Sequence, residues 1–226
     1  MADPRIAEKR AVARAAAAQI PDGARLGLGS GTTAEAFVRE VGRRVGQGLR
    51  VEAVATSSRT HALARGLGIR LVDLDERPLD VAVDGADEVD NALRLLKGRG
   101  GALVRERIVA ASARRLWILA DEAKLVRRLG EHGPLTLEIQ PFGWRATLAR
   151  LRAILPGARL RERGGRPAKS DGGGLLLDAP LPARLPLEQL DARLRAVAGV
   201  VDVGLFLGFP VELVTPGAAP APPLTE

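Results

Sequence analysis

The sequence predicts an α/β protein with a doubly wound, mostly parallel sheet and a smaller α+β domain. Three observations predict it. Short apolar runs of strand length alternate with helical stretches as far as residue 120, the pattern of repeated strand–helix units. Beyond residue 130 the rhythm changes to a β-α-β-β-α-β-like order. Polar, glycine-rich motifs follow the apolar runs of the first part, and ligands of a doubly wound sheet bind beyond the carboxyl ends of its strands. The expected large domain, Rossmann-like, covers residues 1–129 and 207–226. The expected small domain, ferredoxin-like, covers 130–206.

The elements follow in order. Asp3–Gln19 is Ala-rich with charges to one side, which suits a helix. Pro21-Asp22-Gly23 stops it. Ala24–Leu28 is an apolar strand that runs into Gly27–Thr33, and Ala34–Val45 has helical periodicity. Val51–Ala55 is the next strand, followed by Thr56-Ser57-Ser58-Arg59-Thr60 and a helix to Gly66. Ile69–Val72 and Val81–Val83 are further short strands, Ala102–Arg115 a helix and Leu116–Ala120 a strand. In the small domain Leu135–Ile139, Leu175–Asp178 and Val200–Leu207 read as strands, and Phe142–Leu155 and Leu187–Ala198 as helices. The stretch from Pro216 mixes Ala and Pro and reads as a loose tail.

A chain of 226 residues can bury roughly 70% of its extended surface, so a full core forms without covalent staples. Cys is absent, which excludes disulfides, Cys nucleophiles, thiolate zinc sites and iron–sulfur clusters. Only His61 and His132 are available for imidazole chemistry, which argues against a multi-His metal centre. The net charge is +7, and Lys occurs only at 9, 97, 124 and 169 among the 34 cations. That balance fits an anionic partner or simply an Arg-rich surface. A nucleic-acid binder needs aromatics for stacking, and with 4 Phe, 2 Trp and no Tyr no nucleic-acid partner is expected. No apolar run reaches the ~18 residues of a membrane span. Arg5, Glu8, Lys9, Arg10 and Arg14 stand where a signal peptide needs its apolar stretch. The chain reads as soluble and cytoplasmic, with no membrane partner.

Four motifs carry chemistry. In Gly27–Thr33, glycines let backbone N–H groups approach an anion, and Ser30, Thr32 and Thr33 add hydroxyls ahead of a helix N-terminus. This suits a phosphate, although an ordinary strand–helix turn would look alike. Asp84, Asp87, Glu88 and Asp90 follow a buried-looking strand. Crowded carboxylates repel and raise one another's pKa, which suits acid–base work. A helix cap, a Mg²⁺ site or a solvated acidic loop are the other readings. Lys97-Gly98-Arg99-Gly100-Gly101 enters a helix that carries Glu106. Glu106 is then either delivered toward a ligand held by the loop or paired in a surface network with Arg105 and Arg107. Asp121-Glu122-Ala123-Lys124 follows a strand, and Lys124 suits a phosphate or only solvent.

In this order the motifs resemble the A-type ribose-5-phosphate isomerase family. Its GxGTGSTA-like turn, TSxxT, DGADE, KGGGGALTREK and D(E/A)SK segments read here as GLGSGTTA (27–34), TSSRT (56–60), DGADE (84–88), KGRGGALVRER (97–107) and DEAK (121–124). PLTLEIQPF (134–142), DGGGLLLD (171–178) and GVVDVGLFLG (199–208) are similar to its small-domain landmarks. The resemblance implies interconversion of D-ribose 5-phosphate and D-ribulose 5-phosphate through an enediolate, in the non-oxidative pentose phosphate pathway, with no metal or organic cofactor. It implies Glu106 as the proton-shuttling base and Asp84, Asp87 and Lys97 as the other catalytic groups. Ser30, Gly31, Thr32 and Thr33 match the substrate-binding turn. Asp84, Gly85, Ala86 and Asp87 match a second binding segment, and Lys97, Gly98, Arg99 and Gly100 a third. Lys124 lies with that turn around the sugar phosphate, and Lys9 matches a further substrate-side lysine. The family resemblance also implies a homodimer or homotetramer.

Three positions depart from the pattern. Arg99 replaces Gly and needs an ordinary φ to be harmless. Val104 replaces Thr, and Arg107 replaces Lys. A non-catalytic sugar-phosphate sensor or a relative acting on another phosphosugar, on a similar fold, and a CoA-transferase-like enzyme on a related fold are the competing readings.

Overall fold

The computed structural model describes residues 4–182 and 185–216. The chain opens with α1 (Pro4–Ala18), β1 (Arg25–Leu28), α2 (Gly31–Val45), β2 (Glu52–Ala55), α3 (Ser58–Gly66), β3 (Arg70–Leu71) and β4 (Val81–Gly85). It continues with β5 (Glu88–Asp90), β6 (Leu95–Leu96), α4 (Leu103–Ala111), β7 (Leu116–Leu119), a 3₁₀ turn at Glu122–Lys124 and β8 (Leu125–Val126). Then come β9 (Leu135–Ile139), α5 (Trp144–Arg152), β10 (Arg159–Leu160), β11 (Glu162–Arg163) and β12 (Arg166–Pro167). β13 (Leu175–Ala179), α6 (Leu187–Arg195), β14 (Val200–Val203), β15 (Leu205–Phe206) and β16 (Val211–Val214) complete it. Two compact units result. One comprises the segments up to Ala86, Glu106–Leu125 and from Phe209 on; the other comprises Asp87–Arg105 and Val126–Gly208. The sequence boundary at 129/130 leaves residues 87–105 in the large domain, whereas in the structure they group with the second unit.

The first unit holds a six-stranded sheet in the order β16-β7-β4-β1-β2-β3, with every pairing parallel. Numbered within the unit, that is the 3-2-1-4-5-6 order of the doubly wound fold. Central parallel strands are covered on both faces and read as unbroken apolar runs. Val81–Val83 and Leu116–Leu119 are accordingly buried throughout. Val81, Val83, Trp117 and Leu119 join Leu26, Leu28, Phe37, Val38 and Val41 in one core. Ala13, Ala16 and Ala17 bring α1 into the same cluster. Trp117 and Phe37 are fully buried; truncating either to Ala typically costs about 3–5 kcal/mol.

In the second unit β10-β13-β9-β14 form an antiparallel sheet. Counted along the unit, the order is 4-1-3-2 with α5 and α6 as the crossovers, the ferredoxin-like arrangement. Alternation along β9 explains its two faces. Leu135, Leu137 and Ile139 join Leu148, Leu151, Leu190 and Leu194 of the helices, while Thr136 and Glu138 fall on the opposite side. A second small sheet runs β15-β6-β5-β8.

Several expected elements end differently. α4 stops at Ala111 rather than Arg115, because Arg114 N–H donates to Leu79 O and Leu79 N–H donates to Ser112 O instead. α5 starts at Trp144, after Gly143 at φ 68°. The apolar run Val200–Leu207 splits into β14 and β15, which serve different sheets. Gly204 is the reason. It donates to Thr136 O and accepts from Lys97 N–H, and a Cβ there would lie 2.4 Å from Lys97 O and 2.8 Å from Thr136 O. Residues 217–226 of the expected tail lie outside the described residues. Among the described residues no helix is long and apolar enough to cross a membrane.

Glu138 gives the second unit a pH signature. Burial pushes its carboxyl above the usual 4.5, the negative charge of Asp202 adds to this, and the hydroxyl of Ser170 pulls against it. Ser170 Oγ donates to Glu138 Oε1 at 2.6 Å. With the folded pKa raised, the folded chain binds more protons than the unfolded one between the ordinary and the raised value. Stability therefore falls as pH rises through that interval. Glu138→Gln keeps the acceptor and removes the charge. Its melting temperature is expected to lose that decline and to match or exceed the parent's at neutral pH. An unchanged pH slope in melting experiments would refute the assignment.

Candidate active site

The strand order of the first unit reverses between β1 and β4, so the crevice of the sheet opens at their carboxyl ends. The sequence places Gly29-Ser30 and Asp84-Gly85 there. Asp84 is 5% exposed. Its Oδ1 accepts from Ser30 N–H at 3.0 Å and from Gly85 N–H at 2.7 Å. A Cβ on Gly29 would stand 2.1 Å from that same oxygen, so glycine is required for the carboxylate to sit against the turn.

Ser30 occupies the N-cap position of α2 in extended conformation, yet its side chain does not cap the helix. Its hydroxyl meets Thr56 Oγ1 at 2.8 Å. Thr56 spends its only hydrogen on Leu28 O, so Ser30 is the donor of the pair. Thr60 Oγ1 donates to Gly29 O at 2.9 Å, and Ser57 Oγ donates to Thr60 Oγ1. The 56–60 segment thus buttresses the glycine turn through hydroxyls. α2 then presents Gly31 and Thr32 exposed and Thr33 buried at its start, with the partial positive charge of a 15-residue helix behind them. From α1, Lys9 Nζ donates to Thr32 Oγ1 at 3.3 Å and lies 3.8 Å from Asp121 Oδ2. Asp121, after the carboxyl end of β7, is 4% exposed. Lys124 is half-buried in the adjoining 3₁₀ turn. Glu106 lies in the first turn of α4 and is 6% exposed. It is therefore not a solvated surface carboxylate. Arg105 donates to Asp171 O instead, and Arg107 lies over the Phe209 ring at 5.7 Å.

The second unit holds the other candidates. Lys97 is buried, with Nζ 5.6 Å from the centre of the Phe206 ring. Gly98 and Gly101 both have positive φ. Arg99 does not: Leu93 is the one non-glycine residue with positive φ among the described residues. Arg99 therefore replaces glycine without backbone strain. Its N–H donates to Asp87 Oδ2 at 2.9 Å, and its half-exposed guanidinium reaches over Gly133. Gly100 is exposed with nothing close to it. Ala86, which ends the first unit's share of its segment, is partly exposed.

The expectation that the four acids of 84–90 crowd one another is corrected. Each has its own partners. Asp84 serves Ser30 and Gly85, and Asp87 serves Arg99. Glu88, fully buried, accepts from the N–H groups of Gly130, Glu131 and His132. Asp90 accepts from Ala92 and Arg94 N–H and binds the Arg94 guanidinium. Glu88 and Asp90 are scaffold. Among the described residues no three Asp, Glu or His side chains gather as a metal site. Composition and spacing did not reveal the buttress by Thr56, Ser57 and Thr60; its signals were the hydroxyls directly after a strand and the likeness of TSSRT to a family segment.

A doubly wound unit that gathers a buried carboxylate, an uncapped helix start and a lysine at its switch point defines an α/β enzyme of small-molecule chemistry. The comparisons narrow this. The model of the family Ribose 5-phosphate isomerase A (phosphoriboisomerase A) matches residues 52–218. The chain is 48% identical over 202 residues to ribose-5-phosphate isomerase A of Deinococcus radiodurans, covering 88% of this chain and 89% of that protein. It is 49% identical over 213 residues to the same-named protein of Thermomicrobium roseum, covering 93% and 90%. Among solved structures, ribose 5-phosphate isomerase from Plasmodium falciparum superposes with a TM-score of 0.87 at 33% identity, over 92% of this chain and 94% of that one. A D-ribose-5-phosphate isomerase in complex with phospho-erythronic acid gives 0.86 at 33% identity, over 95% and 96%. The chain belongs to the ribose 5-phosphate isomerase A family. It is an isomerase, and isomerisation of ribose 5-phosphate is the activity of that family.

Gly29→Ala tests the seat of Asp84. The added methyl must displace either the carboxylate or the turn, and for a catalytic group, as the family resemblance implies Asp84 to be, misplacement by about 1 Å costs on the order of a hundredfold in rate. A fall of that order is expected with the chain still folded by circular dichroism. Wild-type turnover in this variant would show that the seat is unimportant.

Proposed function

We propose that the chain interconverts D-ribose 5-phosphate and D-ribulose 5-phosphate through an enediolate, with Glu106 moving the proton. The observation that carries the reading is a carboxylate buried in the first turn of the helix that follows Lys97–Gly101. Burying a carboxylate is costly, and proton transfer is a reason to keep one there.

In the open-chain aldose, the Glu106 carboxylate takes the hydrogen from C2 as a proton. The electron pair of that bond forms the C1–C2 double bond, and the carbonyl π pair moves onto O1. Glu106 then returns the proton to C1. The O2 proton passes to O1 and the C2–O2 carbonyl forms. One carboxylate serves both carbons, and the help of such a base is worth about 10²–10⁴-fold. Lys97 is proposed as the cation that meets the charge on the enediolate oxygens, a contribution of about 10²–10³-fold for one preorganised donor. Asp84, its Oδ1 oriented by two N–H groups, is proposed to accept a hydroxyl proton during ring opening. Asp87 is assigned with it to the substrate hydroxyls. The Ser30–Thr33 turn, with Lys124 and Lys9, is proposed to hold the phosphate, whose remote binding energy aligns the reacting carbons. The phospho-erythronic acid bound by a relative is a phosphorylated sugar acid, which shares a phosphate and a hydroxylated chain with the proposed substrates.

The reaction so written transfers a proton between two carbons and calls for neither redox group nor metal. We place it in the non-oxidative pentose phosphate pathway of the cytoplasm, and the family resemblance supports a homodimer or homotetramer.

Glu106→Gln preserves shape and removes the base. With EDTA-treated protein and ribose 5-phosphate, formation of ribulose 5-phosphate is expected to fall by about 10²–10⁴-fold, while binding of phospho-erythronic acid persists. Undiminished turnover would end the proposed mechanism.

A further inference from the structure

We propose that Arg161 is a positioning residue for catalysis, acting through the 97–101 loop. The inference rests on the assignment of Lys97 made above. Arg161 stands just after β10, and its guanidinium is committed on every side. Nε donates to Asp178 Oδ2 at 2.8 Å, and Nη2 donates to Thr136 Oγ1 at 2.8 Å and to Asp178 Oδ1. Nη1 donates to Arg99 O at 3.0 Å and reaches Gly98 O at 3.4 Å. Both members of the ion pair are 14% exposed.

The loop is thereby gripped along its backbone. Lys97 N–H donates to Gly204 O, Arg99 N–H donates to Asp87, and the carbonyls of Gly98 and Arg99 face Arg161. Gly98, at φ 105°, packs on Thr136, where a Cβ would come within 3.1 Å. The glycines would otherwise leave these peptides free to turn. One planar fork fixes two successive carbonyls against the sheet, which a lysine ammonium cannot do while also meeting both oxygens of Asp178. The arrangement is therefore more than a paired surface charge: it sets the direction in which the chain leaves Lys97.

Two variants test this. Arg161→Lys retains the charge opposite Asp178 and loses the fork. The double variant Arg161→Met, Asp178→Leu removes the ion pair and fills its volume, which often leaves stability unchanged. Rates are normalised to folded chain by near-ultraviolet circular dichroism. In both variants kcat is expected to fall by about tenfold to a hundredfold with KM of ribose 5-phosphate within about threefold. A purely structural role would lower the folded fraction and leave the normalised kcat intact, and that result overturns the proposal. Full rescue of kcat by Arg161→Lys overturns it as well. Lys97→Met is the control for the underlying assignment. Wild-type turnover there would remove Lys97 from the mechanism, and Arg161 would have no catalytic group to position.

Discussion

The carboxylate of Asp84 is the constraint on which the carboxyl end of the first unit's sheet depends. It sits where two neighbouring parallel strands finish and their connections diverge. By accepting from the N–H of Ser30 and of Gly85 it ties the end of β1 to the end of β4. Glycine at 29 follows from that seat, since any side chain would occupy the carboxylate's volume. The hydroxyls of Thr56, Ser57 and Thr60 then fix the turn from the other strand, β2, so three consecutive strands of the sheet hold one loop. The rigidity of the parallel core, with Trp117, Phe37 and the buried valines behind it, is passed to the turn by hydrogen bonds rather than by packing.

The second unit solves a different problem. A glycine-rich segment has to keep one backbone path without side chains of its own. It is laid on the polar face of an antiparallel sheet, with Gly204 admitting the chain closely enough for backbone pairing. Acidic side chains that look chemical in the sequence turn out to be collectors of backbone N–H groups. Glu88 organises the 130–132 turn and Asp90 the bend before β6. Charge-assisted hydrogen bonds of this kind are about twice as strong as neutral ones.

Much of this was legible in the sequence. The alternation of apolar runs with helical periods announced the parallel sheet, and GLGSGTTA and DGADE fall at the ends of β1 and β4. The burial of Glu106 was left open against a surface network, because neighbouring Arg105 and Arg107 make either reading possible. The division of Val200–Leu207 was hidden, since one glycine in an apolar run signals a bulge as readily as a change of sheet. β5, β6 and β8 have two or three residues each, too few to show a period. The pairing of Arg161 with Asp178 was invisible for another reason: in a chain where all but four of 34 cations are Arg, no single one stands out.

The uncapped start of α2 has a further consequence. Ser30 turns its hydroxyl sideways to Thr56, so the helix forgoes a cap that is typically worth about 1 kcal/mol. The unliganded chain carries that deficit at the place where the phosphate is proposed to bind. An anion seated there supplies the missing acceptor, and any ligand at a hundred times its Kd adds about 2.7 kcal/mol to the folded state. On the proposed phosphate assignment, the resting chain is softer than the occupied one at this turn, and ligand occupancy itself adds to the stability of the fold.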